Sequence, residues 1–307
     1  MGVPHLRPED VEQLIPNCNV LGPSLRGGQK LVFPCNVNGE KCALKFILLD
    51  GTKDDSDGDG TIESKIDVTK ARAEREISIM QTIDSPYVIK MGSVPLQSAT
   101  INEQYVMYYS EEWIEGSNIS ELLRTAKTLP PAEVAKLCLD ITQGISELWK
   151  ANKIHRDIKP QNIMKRKDNG EYVLLDLGLA FDLDDKSLTQ FGFVPGTVMF
   201  LSPEQLDISH KRDIDFRSDL FSLGIVLYQS LTGQHPFYRN GMDIPTLFNN
   251  IATNPVVPPI ALDPTIPVSL NKIICRLLSK QPSGRYRKCS ILINEIKTVI
   301  HSLEVTL

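Results

Sequence analysis

The sequence predicts an α+β fold in which a small β-rich N-terminal lobe precedes a larger, mostly helical C-terminal lobe. Two strand-like runs flank Asn38-Gly39, and this dipeptide favours the two-residue type I′ turn of a β-hairpin. After Gly116 the segments have helical periodicity, with Pro, Ser or Gly at their boundaries. This change of character near residues 112–117 predicts a boundary between two lobes.

The elements of the N-terminal lobe follow in order. The hairpin lies in "LVFPCNVNGEKCALKFILL", and an acidic loop comes next. A helix is predicted from Asp67 to Ile83, with Asp67 as its cap. "YVIKMGSV" (87–94) and "EQYVMYYSEEWI" (103–114) are predicted to be strands. The resulting domains are an N-terminal extension (1–14), an N-terminal lobe (15–115, with an acidic insertion at 50–67) and a C-terminal lobe (116–307).

Four long helices are predicted in the C-terminal lobe, at about residues 130–152, 218–233, 268–280 and 289–303. Between the first two lies "KIHRDIKPQNIM" (153–164), whose apolar flanks indicate short strands that hold a polar loop. "VLLDLGLAF" then places Asp176 in a turn after a buried run. Two oxygen ligands, Asn162 and Asp176, together with the carboxylate of Asp157, indicate a metal-assisted phosphoryl site.

Composition is typical of a globular protein, with 41% hydrophobic and 23% charged residues among 307. A net charge of −5 argues against nucleic acid as the main partner. No apolar run approaches the length needed to insert into a membrane. Six scattered cysteines without CxxC pairing indicate reduced thiols and a cytoplasmic location. The oligomeric state is left open.

Several motifs along the chain resemble, in the same order, those of the eukaryotic-type (Hanks-type) serine/threonine protein kinases. "ALKF" resembles the VAIK strand, "HRDIKPQN" the catalytic loop, "DLG" the DFG turn and "SPE" the APE motif. The resemblance runs from about residue 15 to 300. It implies a bilobal protein kinase fold, with a five-stranded antiparallel sheet and one helix in the N-terminal lobe.

The resemblance also implies roles for individual residues. Asp157 would accept or orient the proton of the substrate hydroxyl, Lys159 would steady the γ-phosphate, and Asn162 and Asp176 would hold Mg²⁺. Lys45 would contact the ATP phosphates and pair with Glu76, which fits the helix face better than Glu74. The expected nucleotide contacts are Gly27, Gly28, Val32, Ala43, Lys45, Glu112 and Ile114.

Further positions resemble structural parts of the family. Glu204 and Arg285 would form a pair that supports the activation segment, Asp219 would anchor the catalytic loop, and His155 is interpreted as a packed structural imidazole. Arg156 would receive a phosphate. Ser187 and Thr189 are candidate phosphorylation sites, and Thr197 resembles the threonine that contacts the catalytic aspartate.

Two positions depart from the family pattern. In "LRGGQKLV" only Gly27 occupies a position of the glycine-rich loop, with Gly28 beside it, and Lys30 replaces a later glycine. Lys30 either adds charge near the phosphates or points to solvent. Alignment of the hinge with Glu112 places Glu111 at the gatekeeper position, where a buried carboxylate needs a partner. A register one residue away is the alternative.

The predicted function is ATP- and Mg²⁺-dependent phosphorylation of serine or threonine on protein substrates, including the chain itself. One alternative is a pseudokinase that keeps the fold as a binding module, which the poor glycine-rich loop favours. A second is a small-molecule phosphotransferase of related fold.

The acidic insertion carries a separate expectation. It has seven acids against two lysines, and Asp55, Asp57 and Asp59 have the spacing of an EF-hand calcium loop. Ile66 stands where that loop needs a bidentate Glu. The sequence is therefore compatible with weak Ca²⁺ binding or with a solvated acidic loop.

Overall fold

The structure is a computed structural model that describes residues 4–27, 30–49, 62–177, 181–182, 198–206 and 214–304. The chain forms two compact units. The first comprises Met1–Asp84 and Ile89–Ile114, and the second comprises Ser85–Val88 and Glu115–Leu307.

The first unit is built on an antiparallel sheet. Among the described residues it has six strands and two helices: α1 (Pro8–Leu14), β1 (Cys18–Val20), β2 (Leu25–Gly27), β3 (Lys30–Val37), β4 (Glu40–Leu48), α2 (Ile62–Thr82), β5 (Gln97–Ile101) and β6 (Gln104–Glu112). The strand order is β1-β3-β4-β6-β5, and β2 also pairs with β3. The sheet has six strands where five were expected, and α1 is a short helix in addition to the expected main helix α2.

The two faces of this sheet carry different residues because side chains alternate along each strand. On one face, Leu31, Phe33, Leu44 and Phe46 are buried in an apolar core together with Val11 of α1. The N-terminal residues therefore contribute to the core of this unit. The other face carries Lys45 and the charged groups described below.

The predicted hairpin is confirmed. Val37 pairs with Glu40, and the turn residues Asn38 and Gly39 have φ of 53° and 90°. Both values lie in the left-handed region that a type I′ turn requires.

Two other predictions for this unit are wrong. The helix begins at Ile62, not at Asp67, because "IESKI" contains no Gly or Pro that would stop the helix there. The predicted strand 87–94 is not regular: Gly92 N donates to Ser110 O, while Met91 forms only an isolated bridge with Glu111. The regular strand is β5, which turns into β6 through Asn102 and Glu103, with φ of 48° and 64°.

The second unit is mostly helical. Its described helices are α3 (Ile119–Ala126), α4 (Pro131–Lys150), α5 (Pro203–Leu206), α6 (Phe216–Thr232), α7 (Ile244–Thr253), α8 (Pro259–Leu262), α9 (Val268–Leu277) and α10 (Cys289–Glu304). Its strands are β7 (Gly116–Asn118), β8 (Lys153–Ile154), β9 (Ile163–Arg166), β10 (Tyr172–Leu174) and β11 (Phe181–Asp182). The four predicted helices correspond to α4, α6, α9 and α10 and are confirmed.

The short strands position the polar loop. They form two small sheets, with strand orders β10-β9-β7 and β11-β8. The buried helix α4 packs against β8, β10, α6 and α10. The six cysteines form no disulfide in the structure. Among the described helices, none combines the length and apolar character that crossing a bilayer requires.

Candidate active site

The catalytic-loop sequence lies between β8 and β9, as the apolar flanks predicted. Ile154 ends β8, a short 3₁₀ turn covers Pro160–Asn162, and Ile163 begins β9. Ile154 and Ile163 are both fully buried. The polar residues are therefore held on a loop whose two ends are fixed in different sheets.

Asp219 of α6 fixes the beginning of this loop. Its carboxylate accepts hydrogen bonds from the backbone N–H groups of His155 and Arg156, each at 2.8 Å. Burial raises the pKa of Asp219, and the nearby His155 and these two backbone donors oppose that shift. Arg156 has a φ of 66°, a left-handed conformation that the anchored loop maintains. The predicted anchoring role of Asp219 is confirmed by these contacts.

His155 is a buried structural residue, as predicted. Its Nε2–H donates to the carbonyl oxygen of Leu175 at 3.0 Å, and its Nδ1 accepts from the backbone N–H of Asp157 at 3.2 Å. Both ring nitrogens are used within the fold, so the imidazole orients the loop and offers no group to a substrate.

The two carboxylate oxygens of Asp157 have different surroundings. Oδ2 accepts hydrogen bonds from Lys159 Nζ at 2.8 Å and from Asn162 Nδ2 at 2.9 Å. Oδ1 is buried and has no hydrogen-bond partner in the described part of the chain. Buried polar atoms are normally paired, so among the described residues Oδ1 is left as a hydrogen-bond acceptor.

The backbone segments that carry the two predicted metal ligands are hydrogen-bonded to each other. The backbone N–H of Leu175, which precedes Asp176, donates to the carbonyl oxygen of Asn162 at 2.9 Å. Asp176 is half-buried and has a φ of 58°. Asn162 Nδ2 donates to Asp157, so the polar side-chain atom of Asn162 that is left to bind a metal ion is its amide oxygen. One carboxylate and one amide oxygen suit Mg²⁺, which prefers hard oxygen ligands.

Glu204 and Arg285 form the predicted buried pair. Arg285 Nη1 and Nη2 donate to the two carboxylate oxygens of Glu204 at 2.6 and 2.8 Å, and Ser218 Oγ adds a third donor at 2.6 Å. These groups hold the pKa of Glu204 below its usual value although burial alone would raise it. The candidate phosphorylation sites Ser187 and Thr189, and Thr197, which was predicted to contact the catalytic aspartate, lie outside the described residues.

The other predicted site residues belong to the first unit. Val32 lies opposite Lys45 across β3 and β4, and Ala43 lies opposite Glu111 across β4 and β6. Residues directly opposite in antiparallel strands share a face, so these four side chains lie on one side of the sheet.

Two of the remaining expected nucleotide contacts, Gly27 and Glu112, lie at the ends of strands. Gly27 ends β2, where it pairs with Lys30, and Gly28 lies outside the described residues. Glu112 ends β6, and its Oε1 accepts from Lys90 N at 3.1 Å. Ile114 is buried.

Lys45 has two acidic neighbours. Its Nζ lies 3.9 Å from Glu76 Oε1, so the predicted ion pair is present, but it lies only 2.5 Å from Glu111 Oε1. Glu76 is instead hydrogen-bonded by Lys30 Nζ, at 2.6 and 2.9 Å to its two oxygens. Lys30 therefore does not point to solvent.

Glu111 is 3% exposed, and burial raises the pKa of its carboxyl while Lys45 opposes that shift. The structure places Glu111 beside Lys45, which gives the buried carboxylate the partner that it needs. Both departures were visible in the sequence. The partners of Lys30 and Glu111 were missed because these contacts depend on the register of the sheet and on the placement of α2.

Comparison with known proteins identifies the family. A model of the protein kinase domain matches residues 26–296. A probable serine/threonine-protein kinase of Streptomyces coelicolor is 29% identical over 272 residues, which cover 87% of this chain and 37% of that protein. Serine/threonine-protein kinase PknH of Mycobacterium tuberculosis is 28% identical over 226 residues, 73% of this chain and 34% of that protein.

The chain belongs to the Hanks-type serine/threonine protein kinase family. The predicted family and fold are therefore confirmed. Serine/threonine-protein kinase PknB of Mycobacterium leprae is 33% identical over 181 residues, 59% of this chain and 28% of that protein. The kinase chain spans between 28% and 37% of the length of these curated relatives.

Within this kinase the roles assigned to individual site residues stay predictions, because the contacts show their arrangement and not their chemistry. The predicted calcium loop with Asp55, Asp57 and Asp59 lies outside the described residues. Among the residues that are described, no cluster of three or more His, Cys, Asp or Glu side chains could hold a metal ion. No observation supports the calcium expectation.

Proposed function

We propose that this kinase transfers the γ-phosphate of ATP to serine and threonine hydroxyls of protein substrates, and to its own. The arrangement of Asp157 carries the proposal: Lys159 and Asn162 hold one carboxylate oxygen, while the other is buried and accepts no hydrogen bond from the described residues. Such an oxygen suits the position of a substrate hydroxyl.

In the proposed step, Asp157 Oδ1 accepts the proton of the hydroxyl as the hydroxyl oxygen bonds to the γ-phosphorus. The bond from that phosphorus to the β,γ-bridging oxygen breaks, and ADP leaves. Lys159 Nζ, which bonds Asp157 Oδ2 at 2.8 Å, keeps the carboxylate oriented and places a positive charge near the transferred group. Mg²⁺, held by Asn162 and Asp176, would offset negative charge on the phosphoryl oxygens.

The first unit supplies the proposed nucleotide contacts. Lys45 is the cation for the α- and β-phosphates, and Val32, Ala43 and Ile114 provide apolar surface for the base. The glycine-rich segment contributes Gly27 and Gly28, and Glu112 provides hinge backbone. The pseudokinase alternative gains no support, since Lys45, Asp157, Asn162 and Asp176 are all present.

The proposed substrates are proteins because the relatives are named serine/threonine-protein kinases, and a role in signalling follows from that activity. The oxygens of Asn162 and Asp176 support Mg²⁺ as the cofactor. We propose the cytoplasm as the location, because six free thiols suit a reducing compartment.

The test measures transfer of radiolabelled phosphate from Mg-ATP to casein and to the kinase itself. Asp157→Ala and Asp176→Asn should each lower transfer by about 100-fold or more, because they remove the proton acceptor and a metal ligand. Circular dichroism should show that both variants are folded. Equal transfer by wild type and both variants would contradict the assignment.

A further inference from the structure

Four charged side chains, three of the sheet and one of α2, form a cluster at one face of the N-terminal sheet. They are Lys30, Lys45, Glu76 and Glu111, whose side chains are 16%, 10%, 1% and 4% exposed. Two are positive and two are negative, so the cluster is neutral as a whole. Buried charges are tolerated only when they are paired and hydrogen-bonded, and in this cluster each charge has a partner within 3 Å.

The observed pairs differ from the Lys45–Glu76 pair that the motifs predict. Both oxygens of Glu76 accept hydrogen bonds from Lys30, at 2.6 and 2.9 Å, whereas Lys45 is 3.9 Å away. Lys45 forms its short bond with Glu111 at 2.5 Å. Because a hydrogen bond requires a donor–acceptor distance near 3 Å, Lys30 holds Glu76 and Glu111 holds Lys45.

Tyr109 connects the two pairs. The residue is fully buried, and it lies opposite Lys45 in the register of β4 and β6. Lys30 Nζ donates to its hydroxyl at 3.3 Å, and the Nζ atoms of both lysines lie 6.0 Å from the centre of its ring. The aromatic ring provides a fixed wall against which both ammonium groups are placed.

We infer that Glu111 and Lys30 are positioning residues of this kinase: Glu111 orients Lys45, the proposed phosphate-binding lysine, and Lys30 neutralises Glu76. This inference rests on the proposed function, because the consequence of orienting Lys45 is nucleotide binding. It makes Glu111 more important than Glu76 for the placement of Lys45. It also explains why a lysine occupies a position where the family pattern has a glycine, since Glu76 is 1% exposed and needs that cation.

The first experiment measures the Kd of Mg-ADP by calorimetry. Glu111→Gln keeps the size of the side chain and removes its charge, and it should raise the Kd at least tenfold. Glu76→Gln should raise the Kd by less than threefold, and Glu111→Asp should recover part of the loss. Glu74→Gln is the matched control, since Glu74 is exposed on α2. A larger rise for Glu76→Gln than for Glu111→Gln would overturn the inference.

The second experiment measures the thermal unfolding midpoint and needs no nucleotide. Lys30→Met leaves Glu76 buried beside a cation 3.9 Å away and should lower the midpoint, whereas Lys70→Met on the exposed part of α2 should not. In Lys30→Met/Glu76→Gln the loss should be smaller than the sum of the two single losses. Additive losses, or equal midpoints for Lys30→Met and Lys70→Met, would refute the role of Lys30.

The two experiments separate the inference from the proposed function. If wild type fails to bind Mg-ADP, the proposed function fails, and with it the role of Glu111 in nucleotide binding. The unfolding comparison still decides whether Lys30 is the partner of Glu76. If Glu111→Gln fails to fold, the Kd of Glu111→Asp, which should lie between those of wild type and Lys45→Met, decides the role of Glu111.

Discussion

Two buried histidines show, at the scale of single residues, how an imidazole can hold a loop. In both His155 and His235, Nε2–H donates to a distant backbone carbonyl and Nδ1 accepts from the N–H two residues ahead. His235 Nδ1 accepts a second bond, from Tyr238 N at 3.0 Å. Protonation of Nδ1 would remove these acceptor interactions, so the fold requires the neutral form of His235.

This requirement predicts a loss of stability in acid. Burial lowers the pKa of His235 from its ordinary value of 6.5 to about 4. Between these values the unfolded chain binds the proton and the folded chain does not, so stability falls as pH falls through this window. At pH 5 the loss from this residue is about 2 kcal/mol.

Urea unfolding at pH 7 and pH 5 checks the prediction. Wild type should lose about 2 kcal/mol more unfolding free energy between the two pH values than His235→Gln does. The comparison uses the change with pH, so any constant cost of the substitution cancels. Equal losses in the two proteins would show that His235 does not titrate in this range.

At this scale the sequence indicated which polar residues share the catalytic loop, but not which residues pair with Lys30 and Glu111. The spacing of Asp157, Lys159 and Asn162 was sufficient because all three lie on one short loop. Lys30 and Glu111 were recognised as departures, but neither partner could be assigned. Their contacts join residues 46 and 66 positions apart, and such contacts depend on sheet register and on the placement of α2.

At the scale of elements, the three-stranded sheet β10-β9-β7 determines where the catalytic loop ends. Gly116 begins β7 and pairs with Arg166 of β9. A Cβ atom at Gly116 would overlap the backbone carbonyl oxygen of Lys165. Backbone atoms cannot rotate away as a side chain does, so only glycine allows the two strands to approach this closely.

Gly116→Ala should therefore lower the unfolding free energy by about 1–3 kcal/mol, as overpacking does in cores. Gly22→Ala is the control, since a Cβ there would meet only Pro34 Cγ at an ordinary 3.6 Å. Because β9 follows Asn162 directly, Gly116→Ala should also reduce phosphate transfer. Chemical denaturation of both variants measures the difference, and equal stability would contradict the close approach of β7 and β9.

Elements with strong local signals were predicted well from sequence. Asn38-Gly39 specifies its own turn, and the periodic segments of α4, α6, α9 and α10 specify helices. The prediction of a regular strand at 87–94 was wrong because the apolar residues there resemble a strand, whereas the hydrogen bonds of this segment to β6 are few and irregular. The predicted start of α2 was also wrong, because Asp67 was interpreted as a cap although the helix continues through it.

At the scale of the whole molecule, the proposed machinery is divided between two compact units. The first holds the charged cluster around Lys45, and the second holds Asp157, Asn162 and Asp176. Family membership follows from the match over residues 26–296. The transfer of phosphate to serine and threonine is a proposal, and one measurement tests it most directly.

That measurement is mass spectrometry of phosphate transfer between copies of the chain. Wild type is incubated with Mg-ATP and with isotopically labelled Asp157→Ala as substrate, alongside casein, and phosphorylated peptides are mapped over time. We predict phosphate on serine or threonine of these substrates, and transfer lower by about 100-fold or more when wild type is replaced by unlabelled Asp157→Ala. Phosphate on neither substrate, phosphate only on tyrosine, or equal transfer by both enzymes would contradict the assignment as a serine/threonine kinase.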